Sequence, residues 1–268
     1  MGSKMEKVLD KLKEIESGEV GIIIYSQLKQ DIVCSLNKEL LVPLASAAKV
    51  AIAFCVTQLV AERKYKWNDI VQDISFNPKE DSNELYPHFQ NRETLALQDA
   101  VEVMIACHDS FIANKIVQFC GGWDKINKKI KSNFKNINIT RNPMDLDNNG
   151  ELSQMLELLR FIFLGYKNNP ELWIPIINGL VRQQGEIEGI PTHHLNHMTG
   201  GLENVVLDIG IIGEFTQNPL LYVLGAKDLP SRYKEKVADE KIIDAMKLLY
   251  IEYSNQETET KSEWTANS

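Results

Sequence analysis

The sequence predicts an α+β fold, with one antiparallel sheet flanked by helices and an all-helical lobe set between its strands. Three observations predict it. β-branched runs lie near both ends of the chain, an amphipathic helix precedes the first of them and a further helix follows the last, and the stretch between is patterned for helices.

The elements follow in order. Val8, Leu9, Leu12 and Ile15 recur at helical spacing within Glu6–Glu16, and Ser17-Gly18 ends that helix. Val20–Tyr25 and Asp31–Leu36 are β-branched runs about one turn apart and read as a hairpin. Pro43 precedes a helix from about Ser46 to Glu62, apolar nearly all round and therefore expected to be central and buried. Helices are expected at Leu95–Ala106, Ser110–Phe119, Trp123–Phe134 and Gly150–Gly165, with Asn142–Gly150 a loop dense in turn formers. From Leu195 the pattern returns to strand, at Asn204–Gly213 and Leu220–Leu224, and a last helix spans about Glu240–Tyr253. One domain over residues 5–253 is expected, its α/β lobe formed by about 5–45 and 195–253 and its helical lobe by about 46–194. Polar residues 254–268 read as a disordered tail.

Composition narrows the function. With 29 Lys and Arg against 37 Asp and Glu, the net charge is −8, which leaves no basic excess to hold nucleic acid or an anionic membrane surface. The apolar stretch from Leu40 to Val60 is interrupted by Lys49 and is rich in Ala and Ser, so it reads as a buried helix and not a membrane span. Cys34, Cys55, Cys107 and Cys120 form no C-x-x-C pair, and buried reduced thiols are the simplest account; no metal site and no cofactor are expected. Met1-Gly2-Ser3-Lys4-Met5 leads into charged, helix-favouring residues, so a cytoplasmic location is expected. A leader removed upstream, or a cloning remnant at Met1–Lys4, would leave the same sequence.

The chemistry centres on Ser46-Ala47-Ala48-Lys49. Residues three apart share a helical face, so the Lys49 amine can reach the Ser46 hydroxyl. Desolvation lowers the pKa of a buried lysine, which can then take the serine proton. A helix N-terminus also directs backbone N–H groups toward developing negative charge. The plainer alternative is a capping Ser followed by a surface Lys; against it stands the apolar setting, PLASAAKVAIAFCV.

That tetrad and its surroundings resemble the serine β-lactamase and penicillin-binding-protein superfamily, in particular the class A β-lactamase branch, over roughly Met5 to Tyr253. The resemblance implies a β-lactamase-like fold and a serine nucleophile that forms an acyl-enzyme. The family's second motif, S-D-N, falls at His108-Asp109-Ser110, followed by Phe111-Ile112-Ala113-Asn114. By resemblance, His108 stands where a serine shuttles a proton to the leaving group, a task an imidazole suits, although a polar loop residue without that role is the alternative. Asp109 is expected to bind nearby backbone, and Ser110 is too short to reproduce the substrate contacts of the family's Asn. The third motif, K-T-G, falls at Met198-Thr199-Gly200, entering the Asn204–Gly213 strand. Thr199 and Gly200 are kept, whereas Met198 replaces the lysine that helps hold a substrate carboxylate; His197 would face the opposite side of a strand. The resemblance implies an oxyanion hole from the backbone N–H groups of Ser46 and Gly201. Tyr86 sits where the family places an aromatic at the cleft rim, with simple packing as the alternative. The loop that carries the family's deacylating glutamate reads Arg141–Asp147 here and has none; Asp145 and Asp147 are either substitutes or solvated loop residues.

The resulting expectation is a serine hydrolase or acyltransferase acting through an acyl-enzyme on Ser46. Its substrate would be a small-molecule or peptide-like amide or ester other than a typical penicillin. The alternative is a catalytically impaired relative serving as a ligand-binding or interaction module.

Overall fold

The computed structural model describes the backbone of residues 4–266 and the side chains of residues 5–256. The chain opens with helix α1 (Lys4–Lys13), then strands β1 (Glu19–Ser26), β2 (Asp31–Leu36) and β3 (Leu41–Pro43), and helix α2 (Ala48–Ala61). Strand β4 (Ile70–Val71), helix α3 (Ser82–Leu85) and strand β5 (Leu95–Ala96) lead into helices α4 (Leu97–Ala106), α5 (Ser110–Phe119) and α6 (Trp123–Asn133). Short strands β6 (Ile137–Asn138) and β7 (Asn149–Glu151) precede helices α7 (Leu152–Asn168) and α8 (Pro170–Arg182). Strands β8 (Leu195–Leu202), β9 (Val205–Ile212) and β10 (Leu220–Lys227) and helix α9 (Val237–Ala266) complete the chain.

The main sheet is antiparallel, in the order β2-β1-β10-β9-β8, so strands from the two ends of the chain meet at the β1–β10 pair, with Ile23 opposite Val223. Both faces are covered, which explains why β1 and β10 are apolar without alternation. Ile22, Ile24, Tyr222 and Leu224 pack under α1 and α9, against Val8, Leu12, Met246 and Leu249. Ile23, Tyr25, Leu221 and Val223 face the helices of the middle of the chain, in the larger core organised around α2. In α2 even Val50, Phe54 and Cys55 are wholly buried, and Phe54 meets Phe134 and Phe161 edge-on.

Three sequence expectations are corrected, and one helix was not anticipated. Residues 198–201 do not enter the Asn204–Gly213 strand; they belong to a strand of their own, β8, joined to β9 by a tight turn at Glu203-Asn204. Helix α8 was not legible because Pro175 and Gly179 break its pattern, yet Trp173, Ile176 and Leu180 bury its inner face. Ser46 precedes α2 in a 3-10 turn spanning Ala45–Ala47. The last helix continues to Ala266, well past Tyr253; the Gln, Glu and Lys residues there favour helix although they supply little to bury. Residues 267–268 of the expected tail lie outside the described residues. Among the described residues no helix is long and apolar enough to cross a membrane, and Cys34, Cys55, Cys107 and Cys120 are buried and unpaired.

Candidate active site

The nucleophile turn is held from two sides. The Leu44 N–H donates to the carbonyl of Asn148 at 2.7 Å, and the buried Asn148 amide donates to the Ala45 carbonyl at 3.2 Å. Between these clamps Ala45 takes a φ of +47°, left-handed geometry that costs a non-glycine residue of order 1–3 kcal/mol and persists only where surroundings enforce it. Ser46 follows, half-buried.

Lys49 lies in the first turn of α2 and is 3% exposed. Its Nζ donates to Ser46 Oγ at 3.2 Å. Burial lowers the lysine's pKa to about 8, while the carboxylates of Glu80 and Asp109 pull the other way. With that pKa about one Lys49 in ten is a neutral amine at pH 7 and about half at pH 8, within hydrogen-bond reach of the hydroxyl it would deprotonate.

The second motif occupies the turn between α4 and α5. His108 carries a φ of +55°, left-handed like Ala45. Asp109 caps α5: its Oδ1 accepts from the N–H groups of Phe111 and Ile112, and its Oδ2 from Asn77 N–H at 2.9 Å. Burial pushes the Asp109 carboxyl up, against the pull of those three donors and of Lys49. Asn77 also reaches Ser110 Oγ with its side-chain amide, at 3.4 Å, and its carbonyl accepts from Glu80 N–H. The loop so anchored brings the half-buried Glu80 carboxylate into the field of Lys49; burial raises its pKa, against the Lys49 cation.

His108 is a poor base. Burial, then the cations of Lys49 and His197, depress its pKa to about 4. Its Nε2 lies 3.0 Å from the amide nitrogen of Gln183, at the end of α8.

The third motif runs along β8, an edge strand whose backbone passes directly over the nucleophile turn. A Cβ at Gly200 would lie 2.2 Å from the Leu44 carbonyl and 3.1 Å from Ala47 N, so only glycine permits the approach. Gly201 is exposed and Thr199 half-buried. Met198 is fully buried in the α2 core. His197 lies on the other face of β8, its Nδ1 2.8 Å from Asp208 Oδ1 and its Nε2 2.9 Å from the Gly185 carbonyl. Both partners only accept, so they favour a proton on each ring nitrogen; the Tyr222 hydroxyl also lies 3.4 Å from Nδ1. Burial opposes the charge of the doubly protonated ring, but Asp208 and the Gly185 carbonyl raise the pKa overall. Gly185 has no room for a side chain, since a Cβ there would lie 2.6 Å from His197 Nε2 and 3.3 Å from Gln183 Nε2.

Lys49 and Ser110 share a cavity of about 20 Å3 with Thr140, Arg141, Pro143 and Asn148, room for about one water molecule. No carboxylate lines it. Asp145 Oδ1 accepts from Asp147 N–H within the loop, Asp147 is exposed, and Met144 is 70% exposed. Both aspartates are thus loop residues outside this cavity.

Ser46, Lys49, Ser110 and Gly200 are brought together, with Thr199 and Gly201 on the same strand and His108 in the field of Lys49. Tyr86 is not part of this group and is corrected: it is 1% exposed, donates to Glu102 Oε1 at 2.9 Å and stacks on Phe89, because its ring fills the space beneath Arg182. Sequence reasoning missed three contributors. Glu80 sits in an unpatterned polar loop, Gln183 follows a helix that was not read, and Asn148 looked like any turn former. Among the described residues no group of three or more His, Cys, Asp or Glu side chains is placed to hold a metal ion.

A model of the β-lactamase enzyme family matches residues 4–250. No curated protein matches the sequence. Among solved structures, the L158E mutant of PBP-A, an acyl-enzyme complex with penicillin G, superposes with a TM-score of 0.78 at 17% identity, covering 94% of this chain and 96% of that one. A β-lactamase from Chitinophaga pinensis DSM 2588 gives 0.77 at 17% identity, covering 94% and 100%. An ancestral class A β-lactamase gives 0.73 at 17%, covering 92% and 98%. At such identities these structures share the fold.

Proposed function

This chain belongs to the β-lactamase enzyme family, and from that premise we propose that it is a serine hydrolase or acyltransferase whose nucleophile is Ser46. The observation that carries the proposal is the buried Lys49 Nζ, 3.2 Å from Ser46 Oγ with its pKa lowered to about 8. Neutral Lys49 takes the Ser46 proton as Oγ attacks the carbonyl carbon of an amide or ester. The backbone N–H groups of Ser46 and Gly201 take the developing oxyanion, a role supported by the approach of β8 to the nucleophile turn. Collapse of the tetrahedral species releases the amine or alcohol with a proton and leaves an acyl group on Ser46.

The substrate differs from a typical penicillin. Met198 supplies no charge, and the cation beside the end of β8, Arg232, is committed to Asp239 and to the carbonyls of Leu202 and Val205. A recognition carboxylate therefore lacks its partner, and a small-molecule or peptide-like amide or ester without one suits the site. Deacylation has no carboxylate beside the water-sized cavity, which favours a long-lived acyl-enzyme or transfer to another acceptor.

Intact-protein mass spectrometry with a fluorophosphonate tests the proposal. The expected result is one adduct on the wild type and none on Ser46→Ala. An unlabelled but folded wild type would favour the second reading, a ligand-binding module, for which the small cavity beside Lys49 speaks.

A further inference from the structure

We propose that Gln183 is a positioning residue whose side-chain amide holds His108 as a neutral ring with its proton on Nδ1. The two nitrogens concerned, Gln183 Nε2 and His108 Nε2, are 3.0 Å apart. An amide nitrogen only donates, so the ring nitrogen facing it must carry the lone pair. The amide is not free to turn over, because the same Gln183 nitrogen also donates to the carbonyl of Gln184. Reversing it would set the amide oxygen against that carbonyl, two acceptors face to face.

The arrangement leaves Gln183 Oε1 buried without a hydrogen-bond partner among the described residues, in a side chain only 8% exposed. A buried orphan acceptor is unfavourable, and such exceptions in a native fold ask for a reason. Fixing the His108 tautomer supplies one. The next residues are anchored independently, since the Gly185 carbonyl lies 2.9 Å from His197 Nε2, and His197 Nδ1 in turn meets Asp208. The charged groups facing His108 are Lys49 from α2 and His197 from β8, and both disfavour a second proton on its ring, as does burial.

The consequence for the reaction rests on the reading of Ser46 as the nucleophile. With its only lone-pair nitrogen occupied, His108 does not accept the Ser46 proton, and that task falls to Lys49. What His108 offers is the Nδ1–H, a donor for a substrate or leaving-group atom. Gln183 thereby separates two roles that a free imidazole would blur.

Long-range proton–nitrogen correlation spectra of the labelled protein, with His108 assigned through His108→Gln, read the tautomer directly. The expected wild-type spectrum has a proton on Nδ1, a bare Nε2 and a neutral ring down to about pH 4. In Gln183→Leu the lock is gone, so the ring samples the Nε2–H form and titrates about one unit higher. Gln183→Glu turns the partner into an acceptor and moves the proton to Nε2. A wild-type ring protonated on Nε2, or folded variants with unchanged tautomer and titration, would overturn the proposal. Failure of Ser46 to label is a separate result: it removes the nucleophile reading and leaves the spectrum to decide the lock.

Discussion

Lys49 Nζ donates to Ser46 Oγ across 3.2 Å from a side chain that reaches solvent with 3% of its surface. A lysine inside an otherwise apolar helix is a poor choice for stability, because burial works against its charge and brings its pKa down to about 8. Replacing it should therefore separate stability from chemistry. Lys49→Met keeps the volume and removes the charge. Its Tm in a thermal melt is expected to equal or exceed that of the wild type. Its rate of fluorophosphonate labelling is expected to fall by a factor of about 10²–10⁴, the usual worth of a positioned general base. A variant that labels at the wild-type rate would remove Lys49 from the chemistry.

Glu80 sets the charge on that lysine. Its carboxylate favours the ammonium form, so Glu80→Gln should lower the Lys49 pKa further. More of the amine is then neutral at a given pH, and the midpoint of the labelling rate against pH moves down. A midpoint that stays fixed, or moves up, would contradict the stabilisation of the ammonium by Glu80.

The loop aspartates should be silent. Asp147 is exposed and Asp145 closes a turn with it, and neither lines the cavity beside Lys49. Asp145→Asn and Asp147→Asn are expected to change the decay of the acyl-enzyme, followed by mass, by less than about twofold, as surface substitutions do. A decay slowed tenfold by either would identify the deacylating base.

Gly200 tests the contact between the two parts of the site. A methyl group there meets the Leu44 carbonyl at 2.2 Å, which is backbone and cannot swing aside. Gly200→Ala should cost about 1–3 kcal/mol of stability in denaturant unfolding. Because the displaced atoms carry Ser46, labelling should slow as well. A variant as stable and as reactive as the wild type would contradict the close approach.

The legible parts of this chain are those where one physical signal dominates. Val20–Tyr25 and Asn204–Gly213 are β-branched runs long enough to announce strands, and the apolar wrap of Val50 to Leu59 announces a central helix. Ser46 and Lys49 were visible because a charge in that wrap needs a reason. What escaped depended on the third dimension. The α8 pattern is interrupted by Pro175 and Gly179, and its role rests on burying Trp173 against Phe54. Gln183 and Glu80 matter only through partners at distant positions, His108 and Lys49. Tyr86 was assigned by its place in a motif, whereas its hydroxyl is spent on Glu102 inside the core.

The most direct test is the rate at which a fluorophosphonate phosphonylates the protein with loss of fluoride, read by intact mass and peptide mapping from about pH 6 to about pH 10. The expected result is an adduct on Ser46 whose rate rises with pH through a midpoint near 8, as Lys49 loses its proton. A rate that is flat or falls over that range, or an adduct on another residue, would contradict it.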